Sequence, residues 1–277
     1  MRWDYYVRHY SDGARQGQDT KLKNQPGILY PRAGTLGGCT AHNAMITVYP
    51  HEKDWNDIAA LTGDDTWRAG NMRKYFQRVE ACEYLRTSDD KTGHGTDGWL
   101  HVTRYIKTTT DAIRAFTDLH LLATVKATVR AFSLATTGGI IDAVVTSSEQ
   151  LFGLMGRDFN RASADRDQAE GIYQIPLAIR AGKRNGTRER LLETAARFPL
   201  EIRTGAFVTK LTYADKRDPS GKLRVTGVEF RMGKHLYKAD PNAVSNPQAA
   251  KKVTATARRE VILSAGAFNT PQLLKLS

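Results

Sequence analysis

Residues 253–266 read VTATARREVILSAG. The first half alternates apolar and polar side chains, as a strand with one wet face does. The second half, VILSAG, is a continuous run of small and apolar residues, the pattern of a strand covered on both faces. The following AFNTPQLLKLS has helical spacing, and Pro271 fits the first turn of a helix. A doubly covered strand that turns tightly into a helix belongs to an α/β sheet. A mixed α/β fold is therefore expected, and the rest of the chain has to supply the covering layers.

Residues 1–34 read as loop-rich, with SDGARQGQ and NQPG as turn signals. A helix is predicted from about Asp54 to Gly63. Asp64, Asp65 or Thr66 can cap a second one. Met72, Tyr75, Phe76, Val79 and Cys82 follow it at helical spacing, so Cys82 is expected to be a buried core thiol. Helices are also predicted over 111–135 and 142–158, joined by TTGG. The polar stretch DFNRASADRDQAEG (158–171) reads as a loop. Thr187 can cap TRERLLETAARF, with Pro199 beyond its end. LEIRT (200–204), AFVTKLTYA (206–214) and KLRVTGVEFRM (222–232) read as strands, with a turn at DPSG and a bulge at Gly227. Residues 238–250 form a Pro/Asn-rich loop.

Charge and cysteine content bound the function classes. The 277 residues carry a net charge of +12, which raises nucleic acid or an anionic surface as partners. Yet no three basic residues are adjacent, and acids interleave them, as in KRNGTRERLLE. This is a solvated surface, so neither a nucleic-acid nor a membrane partner is expected. Two cysteines give no disulfide framework, no apolar signal segment opens the chain, and no uncharged apolar run approaches the ~18 residues of a membrane span. A cytoplasmic location is the expectation. Asn185-Gly186-Thr187 is a sequon that matters only in a secreted protein.

Two motifs look chemical and only one survives inspection. GHGTDG (93–98) formally matches the G-x-G-x-x-G of dinucleotide sites. It follows a polar stretch and precedes the strand-like WLHVTRY, whereas a true fingerprint follows a strand and opens a helix; it is a turn. TLGGCTAHNAM (35–45) places two glycines, small residues, His42 and Asn43 in succession. Such a turn brings backbone close to something, and the histidine follows directly. Cys39 and His42 could be half a zinc site, but no second pair stands at ligand spacing, so no metal is expected. The other histidines (His9, His51, His94, His101, His120 and His235) form no readable cluster.

RAGTLGGCTAHNAM (32–45) resembles the first signature of the glucose–methanol–choline (GMC) flavin oxidoreductases. GAFNTPQLLKLS (266–277) is similar to their second. GTDGWLHV and GKRNGTRERLL resemble stretches that the family carries between the two. The resemblance implies FAD as cofactor and oxidation of an alcohol CH–OH group. It implies an incomplete Rossmann-like FAD domain with part of a substrate domain. Residues 1–50 would form a loop and flavin-contact segment, 51–200 a mostly helical part of the substrate domain and lid, and 201–277 a β-meander with the strand–helix unit of the FAD domain.

By the same resemblance, Gly37, Gly38, Cys39, His42, Asn43, Ala44 and Met45 would line the flavin and pyrophosphate. The backbone of Val208 would meet adenine, and Ala265 and Gly266 would let FAD lie close. Read from their residues alone, Val208 can be plain strand core, Ala265-Gly266 a simple turn and Asn43 a turn residue. His42 stands where most members have an apolar residue. Choline-oxidising members carry a histidine there that is joined covalently to the flavin, so His42 is a candidate for attachment, for non-covalent contact or for packing. The family's G-x-G-x-x-G unit and its catalytic histidine match no part of this sequence. The chain is thus expected to be a fragment, inactive alone, and no catalytic residue is assigned. The alternative is a non-catalytic remnant serving as an interaction module.

Overall fold

Alternation, capping and glycine placement account for most of the elements in the computed structural model, which describes residues 2–22, 26–85, 93–105, 117–120, 123–124, 127–128, 131, 157–171 and 173–277. In chain order these are β1 (Arg2–Val7), α1 (Gly13–Gly17), β2 (Ile28–Ala33), α2 (Glu52–Thr62), α3 (Ala69–Val79), β3 (Glu80–Cys82), β4 (Leu100–Thr103), β5 (Leu177–Arg180), β6 (Lys183–Arg184), α4 (Thr187–Ala195), β7 (Ala206–Tyr213), β8 (Val225–Met232), β9 (Lys251–Thr256) and α5 (Gly266–Leu276). The expected helices over 111–135 and 142–158 lie almost wholly outside the described residues. The chain divides into two units, Met1–Cys39 with Leu192–Ser277, and Thr40–Leu191. No described helix is long and apolar enough to cross a membrane. Helices and sheets are mixed, as the sequence indicates.

In the discontinuous unit, β1 and β2 form an antiparallel hairpin in the segment expected to be loop-rich. Its aromatic residues fall on both strand faces, which hides the alternation. Tyr5 stacks on Phe268 with centroids 4.7 Å apart, and Trp3 meets Tyr237 edge-on at 5.0 Å. The Tyr5 and Tyr237 hydroxyls both donate to Asn269 Oδ1, at 2.6 and 2.8 Å. These contacts tie the hairpin to α5. The meander β7-β8-β9 is antiparallel throughout. Its register slips beside Gly227, between Thr212 and Tyr213, so the bulge expected there is present. A second slip lies between Val208 and Lys210. Phe230 and Leu211 are buried in this unit.

Three expectations fail here. LEIRT forms no strand. The VILSAG run is irregular and Ile262 is 77 % exposed, because β9 ends at Thr256 and no described strand pairs with the VILSAG residues. Pro271 sits inside α5 rather than in its first turn, since the helix already begins at Gly266.

In the continuous unit, β3 pairs parallel with β4, which continues antiparallel through β5 and β6. His51 caps α2 by accepting the Lys53 N–H on Nδ1 at 3.0 Å, and Gly63 ends it at φ +69°. Helix α3 stops at Val79, so Cys82 lies half-buried in a strand and not on the helical face expected of it. Gly186, rather than Thr187, precedes α4, and its N–H donates to Glu189 Oε2 at 3.0 Å, the return half of a capping box.

The GHGTDG segment is a turn, and its glycines serve close packing. A Cβ at Gly95 would stand 1.8 Å from the Gln77 carbonyl oxygen, and one at Gly98 would stand 2.1 Å from that of Val79. The turn is stitched to β3 by Cys82 N–H to Gly95 O and Gly98 N–H to Glu80 O, both 2.9 Å. Gly95→Ala or Gly98→Ala is therefore expected to destabilise the unit by about 3 kcal/mol, as overpacking against backbone does. Gly70→Ala, with nothing within 4 Å of its added Cβ, is the control that leaves the urea midpoint close to wild type.

Candidate functional site

The site loop starts in a glycine pair that no other residue type fits well. Gly37 and Gly38 have φ of +90° and +58°, the left-handed region where a side chain costs energy. A tight helical turn, Gly38–Ala41, follows. Cys39 is exposed. Gly38 has open space where a Cβ would stand, so its glycine answers to backbone conformation and not to protein packing. In the same unit Ala265 and Gly266 are exposed at the start of α5, Gly266 has φ +85°, and its Cβ position is also open. Val208 is 37 % exposed on β7, an edge strand of the meander. An open backbone at Gly38 and Gly266 fits a ligand that lies flat against main chain.

In the continuous unit His42, Asn43 and Ala44 are exposed and Met45 is partly covered. His42 makes no hydrogen bond, ion pair or ring contact with the described residues. Asn43 is a turn residue by geometry: its Oδ1 accepts the Met45 N–H at 3.0 Å. That bond helps hold Met45 at φ +62°, a conformation disfavoured for a side chain of its size. Beyond it, Ala178 N–H donates to Met45 O at 2.8 Å, Ile46 bridges to Leu177, and Thr47 N–H donates to Pro176 O at 2.9 Å. The loop thus runs out along the β5 segment.

The residues that support this loop were not singled out by sequence reasoning. Arg184 donates from one nitrogen to Thr40 O at 3.0 Å and to Asn43 Oδ1 at 2.7 Å. Thr187 N–H donates to Thr40 Oγ1 at 3.3 Å, and a Cβ at Gly186 would lie 3.1 Å from that oxygen. The RNGT segment is therefore a cradle for the loop. Asn185 within it is buried and accepts the His101 N–H at 2.8 Å, so the sequon is closed to modification in the folded chain. The signal for Arg184 was available, since GKRNGTRERLL stood out as a motif without a role.

On the far side of the loop, Asn160 is fully buried. Its Oδ1 accepts the Tyr49 N–H at 2.7 Å and its Nδ2 donates to Thr47 O at 2.9 Å. Asn160 N–H donates to Asp158 Oδ1 at 3.0 Å. Asp158 also accepts the Tyr84 hydroxyl at 2.8 Å and Arg104 Nη2 at 2.7 Å. His94 completes the group. Its Nε2 lies 2.6 Å from Asp158 Oδ2, and its Nδ1 lies 3.0 Å from Glu80 Oε2.

Carboxylates accept and a neutral imidazole has one N–H, so two carboxylate partners require the imidazolium. Burial opposes this charge, but hydrogen bonds to Asp158, Cys82 and Glu80 outweigh it and push His94 up to about 11. Burial likewise acts to raise Asp158, yet its bond to His94 prevails and holds it down to about 2. Burial chiefly, then the Asp158 charge, raises the Tyr84 hydroxyl. Glu80, Cys82 and His94 bring ligand-type atoms within 4.8 Å of one another. Both His94 nitrogens are already engaged, and two carboxylates face two cations, so the charges balance as an ion-pair cluster without a metal. None of the other histidines joins this group: the partners of His94 come from the 80–84 segment and from Asp158.

A family model described as GMC oxidoreductase matches residues 13–277. The chain belongs to the GMC oxidoreductase family. It is 28 % identical over 255 residues to an alcohol dehydrogenase [acceptor] of Pseudomonas putida, covering 92 % of this chain and 36 % of that protein. It is 27 % identical over 251 residues to an oxygen-dependent choline dehydrogenase of Staphylococcus epidermidis, covering 90 % and 34 %. The chain therefore spans about a third of the length of these relatives. Among solved structures, pyridoxine 4-oxidase from Mesorbium loti matches with a TM-score of 0.56 at 19 % identity, covering 99 % of this chain and 40 % of that one. Formate oxidase matches with a TM-score of 0.58 at 17 % identity, covering 99 % and 37 %. These two likenesses speak to the fold.

Two outcomes are expected from this geometry. Arg184→Ala removes two charge-assisted bonds at the protein surface and should cost about 1–2 kcal/mol, read as a lower urea midpoint with faster amide exchange at Asn43–Met45. The second concerns pH. His94 has a folded-state pKa above its ordinary 6.5, so its contribution is whole below about pH 6.5 and is lost as pH rises toward 11. The stability gap between wild type and His94→Gln, measured by urea titration, should narrow steadily from pH 7 to pH 10. A gap that stays constant over that range would show a neutral His94.

Proposed function

We propose that these residues contribute flavin-contacting parts of an FAD-dependent oxidoreductase acting on the CH–OH group of an alcohol. The observation that carries the reading is the 37–45 loop: open glycine backbone, an exposed and unengaged His42, and a dedicated clamp at Arg184, inside a chain that belongs to the GMC oxidoreductases. The names of the Pseudomonas and Staphylococcus relatives support an alcohol substrate class.

When bound, FAD would supply the electron-accepting chemistry. This chain's part is to bind and orient. Gly37 and Gly38 present main chain to the cofactor, and Cys39, Asn43, Ala44 and Met45 shape the loop beside them. The Val208 backbone on the edge of the meander meets the adenine. Ala265 and Gly266 leave room at the start of α5. His42 faces the flavin ring and is the residue for covalent attachment. No residue here is assigned to proton abstraction, and the chain alone is proposed not to turn over substrate.

A second reading, a non-catalytic interaction module, draws on one observation: Ile262 is exposed in an apolar run with no strand partner among the described residues. Flavin titration separates the two. FAD added to the purified chain should quench its flavin fluorescence in a saturable manner, and Gly38→Val should weaken this at least tenfold, since a branched side chain at φ +58° distorts the turn. Absence of any saturable FAD binding would favour the interaction module. For attachment, acid-precipitated protein from cells should retain visible flavin colour, and His42→Ala should release it to the supernatant.

A further inference from the structure

We propose that His94 is a positioning residue for the segment that leaves the flavin loop, acting through Asp158 and Asn160. The proposal gives a purpose to a buried ion cluster that the family reading does not use. It rests on the assignment of the 37–45 loop to the flavin, but its test is independent of any cofactor.

The hydrogen bonds form one continuous path. His94 Nδ1 is fixed on Glu80, which also accepts the Gly95 N–H on Oε2 at 3.0 Å. Imidazolium and carboxylate are thus locked to β3 and to the GHG turn. His94 Nε2 holds Asp158 Oδ2, while Oδ1 accepts the Asn160 N–H together with the Tyr84 hydroxyl and Arg104 Nη2. Asn160 in turn grips the next segment twice, at Thr47 O and Tyr49 N. Thr47 Oγ1 then donates to Met45 O at 3.2 Å, reaching the residue that Asn43 holds in its left-handed conformation. An amide side chain has one acceptor and two donors in a fixed plane. Rotating Asn160 therefore breaks both grips together, and its backbone is held by Asp158 at the N–H and by Arg73 Nη1 at the carbonyl, at 2.9 Å.

The charge on His94 is what makes the device rigid. Four side chains face it or its partners: Glu80 and Cys82 from β3, Tyr84 just beyond, and Arg104 after β4. Removing the imidazolium leaves Glu80 and Asp158 in a buried place, with the Arg104 guanidinium on Asp158 and over the Tyr84 ring. Asp158 then loses the only bond on Oδ2 among the described residues, and its carboxylate can rotate about the crowded Oδ1 that holds the Asn160 N–H. A role confined to local stability would instead loosen β3 and the GHG turn, leaving residues 45–49 as they are.

The test is amide hydrogen exchange on the 277-residue chain, read for wild type, His94→Gln, Asn160→Ala and the double variant. His94→Gln should speed exchange at Thr47 and Tyr49 about tenfold or more, with amides of the β7–β8 hairpin unchanged as a check on folding. Asn160→Ala, which leaves every ion of the cluster in place, should give the same local increase. In the double variant the two effects should not add, because both act on one path. Unchanged exchange at Thr47 and Tyr49 in His94→Gln would overturn the proposal, and so would fully additive effects. If His94→Gln does not fold, Asp158→Asn replaces it: it keeps the shape and weakens the grip on His94, and slow exchange at Thr47 and Tyr49 in that variant would overturn the proposal equally. Failure of FAD to bind would sink the functional reading without touching these rates.

Discussion

A charge removed from water has to be met by an opposite charge and by hydrogen bonds, or it neutralises. The continuous unit is organised around that requirement. His94 has no exposed side-chain surface and is met by Glu80 on one nitrogen and Asp158 on the other. Arg104 balances the second carboxylate. Breaking one partner of such a group costs more than the group as a whole contributes, because the remaining charges stay buried. The cluster therefore acts as a register device. It joins β3, the glycine turn and the Asp158–Asn160 segment, and it admits few alternative pairings.

That rigidity matters because the neighbouring loop is built from residues with little capacity to hold their own shape. Two glycines at positive φ, a short helical turn and a left-handed Met45 form a backbone with few internal bonds. Conformational freedom of this kind has to be removed from outside, at about 1–2 kcal/mol per residue. Arg184 removes it at Thr40 and Asn43, and Asn160 removes it at Thr47 and Tyr49. His42 lies between the two anchors, exposed and unengaged, so the scaffold spends its interactions on the residues around the histidine. An arrangement of this type presents a side chain to a ligand without using it for packing.

The sequence made the periodic and punctuated parts legible. Helix α2 reads from its polar start and Gly63, the β7–β8 pair from alternation and DPSG, and the bulge from the phase change at Gly227. The loop itself reads from its glycines and its resemblance. What could not be read was which distant residues answer one another. Arg184 looked like one cation in an interleaved run, and Asp158 and Asn160 looked like loop residues in a polar stretch. His94 sat inside a glycine motif whose obvious interpretation was a phosphate loop or an ordinary turn. Each gains meaning only when segments more than sixty residues apart along the chain come together. Local pattern carries no record of such pairing. The failure at Cys82 has a simpler cause: helical spacing continued past the point where α3 gives way to a strand.

The VILSAG run is a different kind of mismatch, since there the pattern is clear and the structure does not use it. Alternation through VTATAR is satisfied by pairing with β8. The continuous run after it is the composition of a strand with cover on both faces, yet no described strand pairs with it and Ile262 is exposed. Hydrophobic pattern specifies an environment, not only a backbone conformation. When the environment is not supplied by the described residues, β propensity alone does not hold a strand straight. The helix after it still forms, because α5 draws its cover from Tyr5, Tyr237 and β7 within the same unit. A motif of strand, turn and helix can thus be half-formed, and the half that forms is the one whose packing partners lie among the described residues.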